Sequence, residues 1–110
     1  MPLYIHLGFQ LDALDDGRSQ VRLKFQPHLG NSRGEVHGGT VAAIVDAAMS
    51  QAVRSLVDKA LGVATMTMNL TYLAPARGEI VCKADEVYLH KFQSTPPRGE
   101  RHYIWEVIKW

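Results

Sequence analysis

One stretch of helical periodicity stands alone among segments patterned as strands, and that combination narrows the fold before anything else is weighed. From about Gly39 to Ala60, the residues Val41, Ile44/Val45, Ala48, Ala52 and Ser55/Leu56 recur at helical spacing and mark one apolar stripe. Gly62 stands where a left-handed cap would end such a helix, and Lys59 suits the negative end of its dipole. No second helical pattern is evident, so a helix of this length is expected to lie across a sheet rather than inside a bundle. Asp46, Gln51 and Arg54 interrupt its most apolar part, Val41 to Val57, which excludes it as a membrane span.

The flanks supply the sheet. Residues 8–14 and 18–26 are predicted as strands; in the second, Ser19, Val21, Leu23 and Phe25 alternate with Gln20, Arg22, Lys24 and Gln26. Asp15-Asp16-Gly17 between them offers residues that tolerate positive φ, which predicts a hairpin. Pro27 to Gly34 then breaks regular structure. A strand over 63–73 would carry Met66, Met68, Leu70 and Tyr72 on one face and Thr65, Thr67, Asn69 and Thr71 on the other. After a turn at Ala74 to Gly78, a further strand is predicted over 79–89. Phe92 to Glu100 contains two prolines and a glycine and is not expected to pair in a sheet, whereas HYIWEVIKW suits a short final strand. Hairpin, helix and antiparallel strands make an α+β arrangement, and 110 residues make one domain, 1–110.

Composition bears on function mainly by exclusion. A net charge of +1 with dispersed basic residues provides no electrostatic case for nucleic acid or for an anionic membrane surface. The single cysteine, Cys82, cannot form an internal disulfide, which fits a reducing cytoplasm. The N-terminal MPLYIHLGF lacks the charged start and apolar core of a signal peptide, so a soluble, cytoplasmic domain is expected. A core of this size is modest, and a partner subunit would add to it.

The chemistry gathers between Asn31 and Asp46. Asp46 is an acid among alanine, isoleucine, valine and methionine, and desolvating its charge is costly unless something compensates. Spacing alone leaves open whether it serves a ligand or is a satisfied structural carboxylate. His37-Gly38-Gly39 at the helix start leaves backbone N–H groups able to receive a ligand's oxygen, although it also fits a plain loop-to-helix junction. No phosphate-cradling GxxxxGK[ST] pattern and no G-x-S-x-G elbow is present. The histidines show no metal-ligand spacing, so no metal site is expected. Cys82 shares its strand side with Ile80 and Ala84, as an inert buried thiol would.

Taken together, Asn31, His37-Gly38-Gly39 and Asp46, with MNLTYLAPARGEI matching N-x-x-Y-L-x-P-x-x-G, resemble one family closely. They are similar to the hotdog-fold acyl-CoA thioesterases, and within these to the phenylacetate-degradation (PaaI-like) branch, over roughly residues 5–90. The resemblance implies a long central helix wrapped by a curved antiparallel β-sheet, in a homodimer or tetramer whose acyl-CoA substrate enters between subunits. Coenzyme A is then part of the substrate, and no cofactor is implied. By position, Asp46 would activate water or attack the carbonyl, and Gly38 N–H would polarise that carbonyl with Asn31 assisting. Thr65 would orient the water and His37 would brace the loop. Gly39, Arg77 and Lys83 are the candidate substrate contacts.

The implied reaction is hydrolysis of an aryl- or medium-chain acyl-CoA to the free acid and CoA. The alternative is a non-catalytic acyl-CoA-binding hotdog domain, or one inactivated by its altered C-terminus. Residues 91–110 depart from the family's pattern, in which two further strands follow a short Gly/Arg turn. The tail is therefore an atypical C-terminal strand region.

Overall fold

The computed structural model describes residues 2–57, 63–65, 68–85, 89–94 and 102–107. The predicted hairpin joins β1 (Gln10–Asp15) to β2 (Arg18–Leu23), and Asp16 and Gly17 take the positive φ values of 33° and 82° that its turn requires. β2 then pairs antiparallel with β4 (Ile80–Ala84), giving a sheet ordered β1-β2-β4. The alternation read along β2 has the expected result: Ser19, Val21 and Leu23 are buried, while Arg18, Gln20 and Arg22 face outward or lie at the margin.

Helix α2 (Gly38–Arg54) lies on this sheet against β2 and β4, and also touches β3 (Val63–Thr65). Its inner stripe is Ile44, Val45, Ala48 and Ala52, the middle of the predicted one, with Ala47 and Val53 buried as well; of the predicted ends, Val41 is only half-buried and Leu56, past the helix, is exposed. Alanine at these positions lets the helix axis approach the strands closely, and the Ser19 hydroxyl donates to Ala48 O across the gap. Val21, Leu23, Leu29, Ile44, Ala48, Ala52 and Ala84 form one apolar cluster, with Leu7, Phe9, Met49, Ile80 and Cys82 packed at its margin. Burial of each larger member, such as Leu23 or Ile44, contributes about 1.5–3 kcal/mol.

The helix is shorter at its end than predicted. It stops at Arg54, where the Ser55 hydroxyl donates to Ala52 O at 2.6 Å and accepts from Gly17 N–H at 2.7 Å. The hairpin turn thus takes hold of the chain just where the last helical turn needs partners. Lys59 and the proposed cap at Gly62 lie outside the described residues.

Three further expectations are corrected. The strand over 63–73 shrinks to Val63–Thr65, and residues 68–73 are not in a strand, so the two-faced assignment fails there; Met66 and Thr67 lie outside the described residues. Here Tyr72 donates its hydroxyl to Gly38 O at the helix entry, and just beyond the segment Ala76 O accepts from Val36 N–H, so the chain runs along the loop and helix start rather than along a strand. The tail also pairs more than its composition predicts: β5 (Leu89–Ser94) includes Phe92, Gln93 and Ser94, and it pairs antiparallel with β6 (His102–Val107), the predicted final strand. Both prolines follow Ser94, so every β5 residue keeps the N–H that a ladder needs. Finally, the second sheet is ordered β3-β6-β5 and its β3–β6 pair is parallel, so the strands are not antiparallel throughout.

Two short elements complete the fold. Pro27–Leu29 forms one 3-10 turn inside the segment expected to be irregular, and Leu29 reaches the core. The N-terminal α1 (Pro2–Leu7) ends at Gly8, whose φ of 82° lets Phe9 N–H return to Tyr4 O and Gly8 N–H to Ile5 O. Among the described residues, no helix is long and apolar enough to cross a membrane.

Candidate active site

The loop that leads into α2 is built by Asn31. Its side-chain Oδ1 accepts from Arg33 N–H at 2.9 Å and Glu35 N–H at 3.1 Å, while its own N–H donates to Glu35 O at 2.8 Å. Gly34, at a φ of 73°, completes the turn. Asn31 therefore holds the loop's shape from within, and it also lines the cleft beside it.

His37 then serves as the helix N-cap. Its Nδ1 accepts from Gly39 N–H at 2.8 Å, and its carbonyl receives Thr40 N–H and Val41 N–H. The imidazole is thereby held at the helix start. It also commits Gly39 N–H to the cap, which leaves Gly38 as the available donor of the pair: among the described residues, Gly38 N–H has no acceptor. Gly38 opens onto a cleft of about 380 Å³ bordered by Asn31, Arg33, Glu35, Val41, Tyr72 and Leu73, among others.

At the rim of that cleft, Glu35 lies just beneath the surface, sealed by two exposed arginines rather than by depth. Arg33 Nε is 2.6 Å from Glu35 Oε1, and an Arg77 guanidinium nitrogen is 3.8 Å from Oε2. The hydrogen bond from Arg33 outweighs the opposing effect of desolvation, and the charges of Arg33 and Arg77 add to it, so the Glu35 carboxyl is held below its ordinary range. Arg77 therefore meets the carboxylate of a residue that lines the cleft. Lys83 stands elsewhere, on β4 opposite Gln20, in a shallow depression with Asp15, Arg18 and Asp85.

Asp46 lies on the outer flank of α2 among half-buried Ala42, Ala43, Met49 and Ser50. The Thr65 hydroxyl donates to Asp46 Oδ1 at 2.5 Å, so the structure brings together this expected pair. Within one chain that contact is open to solvent, in contrast to the dry setting inferred from the surrounding residue types. Along the same helix, Asp46 and Gly38 are separated by about 12 Å of axial rise.

Two tyrosines near these groups were not among the predicted site residues. Tyr72 donates its hydroxyl to Gly38 O at 2.7 Å; its place in the N-x-x-Y-L pattern was the signal available for it. Tyr4 packs over the flank of α2 that carries Asp46, Ser50 and Arg54. Burial pushes its phenol pKa up first, and the nearby Asp46 carboxylate pushes it further. Nothing in the local sequence around Tyr4 signals that contact. The half-buried Cys82 thiol is likewise raised by burial, which suits an inert side chain. Among the described residues there is no cluster of His, Cys, Asp and Glu fit to hold a metal ion.

Comparison with known proteins bears on this geometry. Residues 1–99 match the family described as a domain of unknown function, DUF4442. A protein of Halobacterium salinarum, named only as a candidate esterase, is 38% identical over 86 residues, which is 74% of this chain and 57% of the relative. The chain spans about half the length of the curated relatives it matches. Among solved structures, a thioesterase family protein from Silicibacter pomeroyi superposes with a TM-score of 0.73 at 22% identity, covering 94% of this chain and 82% of that one. PaaI of Escherichia coli, from the phenylacetic acid degradation operon, superposes with a TM-score of 0.66 at 15% identity, covering 92% and 77%. The fold shared with these PaaI-like and thioesterase proteins is the hotdog fold.

Proposed function

Because this chain belongs to the DUF4442 family and has the hotdog fold, we propose that it hydrolyses acyl-CoA thioesters in a site assembled from two copies of the chain. The acyl group is aryl or medium-chain, and the products are the free acid and CoA. The names of its relatives, an esterase in one case and thioesterases in others, support this direction.

The observation that carries the two-copy reading is the spacing on α2. A single carbonyl has to meet both the donor and the attacking oxygen at about 3 Å. Gly38 N–H and Asp46 of one helix, about 12 Å apart along its axis, cannot both do so. A second copy related by a two-fold axis sets Asp46 of one α2 beside the start of the other. It also covers the flank of Ala42, Ala43 and Met49 and removes water from around the carboxylate.

In such a site the thioester carbonyl points at Gly38 N–H, at the positive end of the helix. Negative charge grows on that oxygen as the tetrahedral intermediate forms, and a donor aimed there contributes about 3–4 kcal/mol. Asp46 either removes a proton from water as the water adds to the carbonyl carbon, or attacks that carbon itself to form an anhydride that water then opens. In both routes the C–S bond breaks and CoA leaves as a thiolate that takes up a proton. Thr65, bonded to Asp46 Oδ1, holds the carboxylate and the water in line. Arg33, which lines the cleft, and Arg77, beside Glu35, offer cationic groups to the CoA phosphates.

The test is thiol release from a panel of acyl-CoAs by the purified protein, with Asp46→Asn as control. Release by the wild type and its loss by about a thousandfold or more in a folded Asp46→Asn variant is the expected result. Turnover by that variant at the wild-type rate would remove Asp46 from the chemistry. Acyl-CoA binding with no hydrolysis by the wild type would instead establish the non-catalytic reading.

A further inference from the structure

Tyr72 has a contact that its surroundings do not require. It is 55% exposed and belongs to no strand, yet its hydroxyl donates to Gly38 O at 2.7 Å. Its ring lies over Gly38 as well: a Cβ placed on that glycine would be 3.7–3.8 Å from Tyr72 Cζ, Oη and Cε1. The segment that carries it is tied down separately by Val36 N–H to Ala76 O at 2.9 Å. A long connection is thereby fastened to the first residue of the helix by a side chain that solvent could otherwise satisfy.

The helix entry needs such a fastening. Gly38-Gly39 has no side chains to restrict its backbone, and helix ends fray. The His37 cap holds the Gly38–Gly39 peptide unit from its N–H side, and Tyr72 holds the same planar unit from its carbonyl side. A donor that must meet an oxyanion works only when its direction is held to within about 0.5 Å and 10–20°.

We propose that Tyr72 is a positioning residue for the Gly38 N–H donor, holding the first peptide units of α2 through the Gly38 carbonyl and closing one side of the approach with its ring. This rests on the thioesterase reading above for its catalytic consequence, but the positioning contact itself is independent of it. With Leu73 and Val41, the ring walls the cleft, so the substrate carbonyl reaches Gly38 along the ring's face.

The experiment uses Tyr72→Phe in the full chain, which keeps the ring and removes the hydroxyl. Amide hydrogen exchange at Gly39, Thr40 and Val41 is expected to rise about threefold to tenfold, the factor that corresponds to the net worth of one hydrogen bond. Exchange at Ile44 to Ala52 should rise less than at the helix start, and the thermal midpoint should fall by no more than a few degrees. With an acyl-CoA that the wild type hydrolyses, kcat should fall by a similar factor while KM holds, because the aim of the donor matters most in the transition state. Unchanged exchange at Gly39 to Val41 overturns the proposal, and so does a uniform rise along the whole helix, which would mark a structural role. A rise in KM alone also overturns it, by making Tyr72 a substrate contact. If the wild type hydrolyses no thioester yet exchange rises at the helix start alone, the thioesterase reading fails and the positioning contact stands.

Discussion

At the scale of single residues, the helix start separates two glycines that look equivalent in the sequence. Gly39 N–H is committed to His37 Nδ1, whereas Gly38 N–H has no acceptor among the described residues. This asymmetry permits a clean deletion of the donor. Proline is favoured at the first helical position, and the residue before it must be extended; His37 already is, at φ −61° and ψ 138°. A Cβ at residue 38 meets only ordinary van der Waals contacts with Tyr72. Gly38→Pro should therefore fold normally while hydrolysis drops about a hundredfold to a thousandfold, as loss of an oxyanion donor does. Circular dichroism alongside thiol-release kinetics checks both halves of that expectation. Wild-type turnover in Gly38→Pro would mean that the donor lies elsewhere. The spacing of Asn31, His37-Gly38-Gly39 and Asp46 was legible in the sequence, but the division of labour between the glycines was not, since it depends on which way one imidazole turns.

At the scale of elements, the patterns that survived are those where burial alone dictates the outcome. Ser19, Val21 and Leu23 alternate inward along β2, and Ile44, Val45, Ala48 and Ala52 follow the helical stripe. Boundaries survived less well. The end of α2 is set by Ser55, which bonds back to Ala52 O and across to Gly17 N–H, and a serine that joins a helix end to a distant hairpin leaves no local signature. Ser55→Ala should orphan the Gly17 N–H and cost about 1–2 kcal/mol, read as a lower urea midpoint at unchanged slope. Local exchange should rise at the hairpin turn around Gly17 rather than in β2. The shortened β3 has the same origin: period-2 alternation over 63–73 predicts a strand only where another strand is there to pair with it, and residues 68–73 bond to the helix entry instead.

At the scale of the whole molecule, the two halves of the proposed site lie on different parts of one helix, so the proposed chemistry calls for a second copy of the chain. That makes intersubunit complementation the decisive measurement. Gly38→Pro and Asp46→Asn homodimers should each be inactive. When the two variants are unfolded together, refolded and allowed to exchange, half the dimers are mixed, and each mixed dimer holds one site with both residues intact. About a quarter of wild-type activity should then return. A site contained in one chain would give no recovery at all. The paired tail strands bear on this scale too, because β5 and β6 add to the sheet that β3 joins, and residues 91–94 and 102–107 pair although they belong to the segment that departs from the family's pattern.

By itself, the sequence determined which faces are buried, that one helix lies across strands, and that a glycine pair and a carboxylate occupy that helix. Local periodicity records those things, because each is decided within a few residues of chain. Only the tertiary structure decided what those groups touch. Thr65 reaches Asp46, Tyr72 reaches Gly38, and Arg33 and Arg77 close over Glu35. Apart from Arg33 with its near neighbour Glu35, these contacts join residues far apart in the chain. They exist because the sheet sets where the connecting segments land on the helix, which no local pattern encodes.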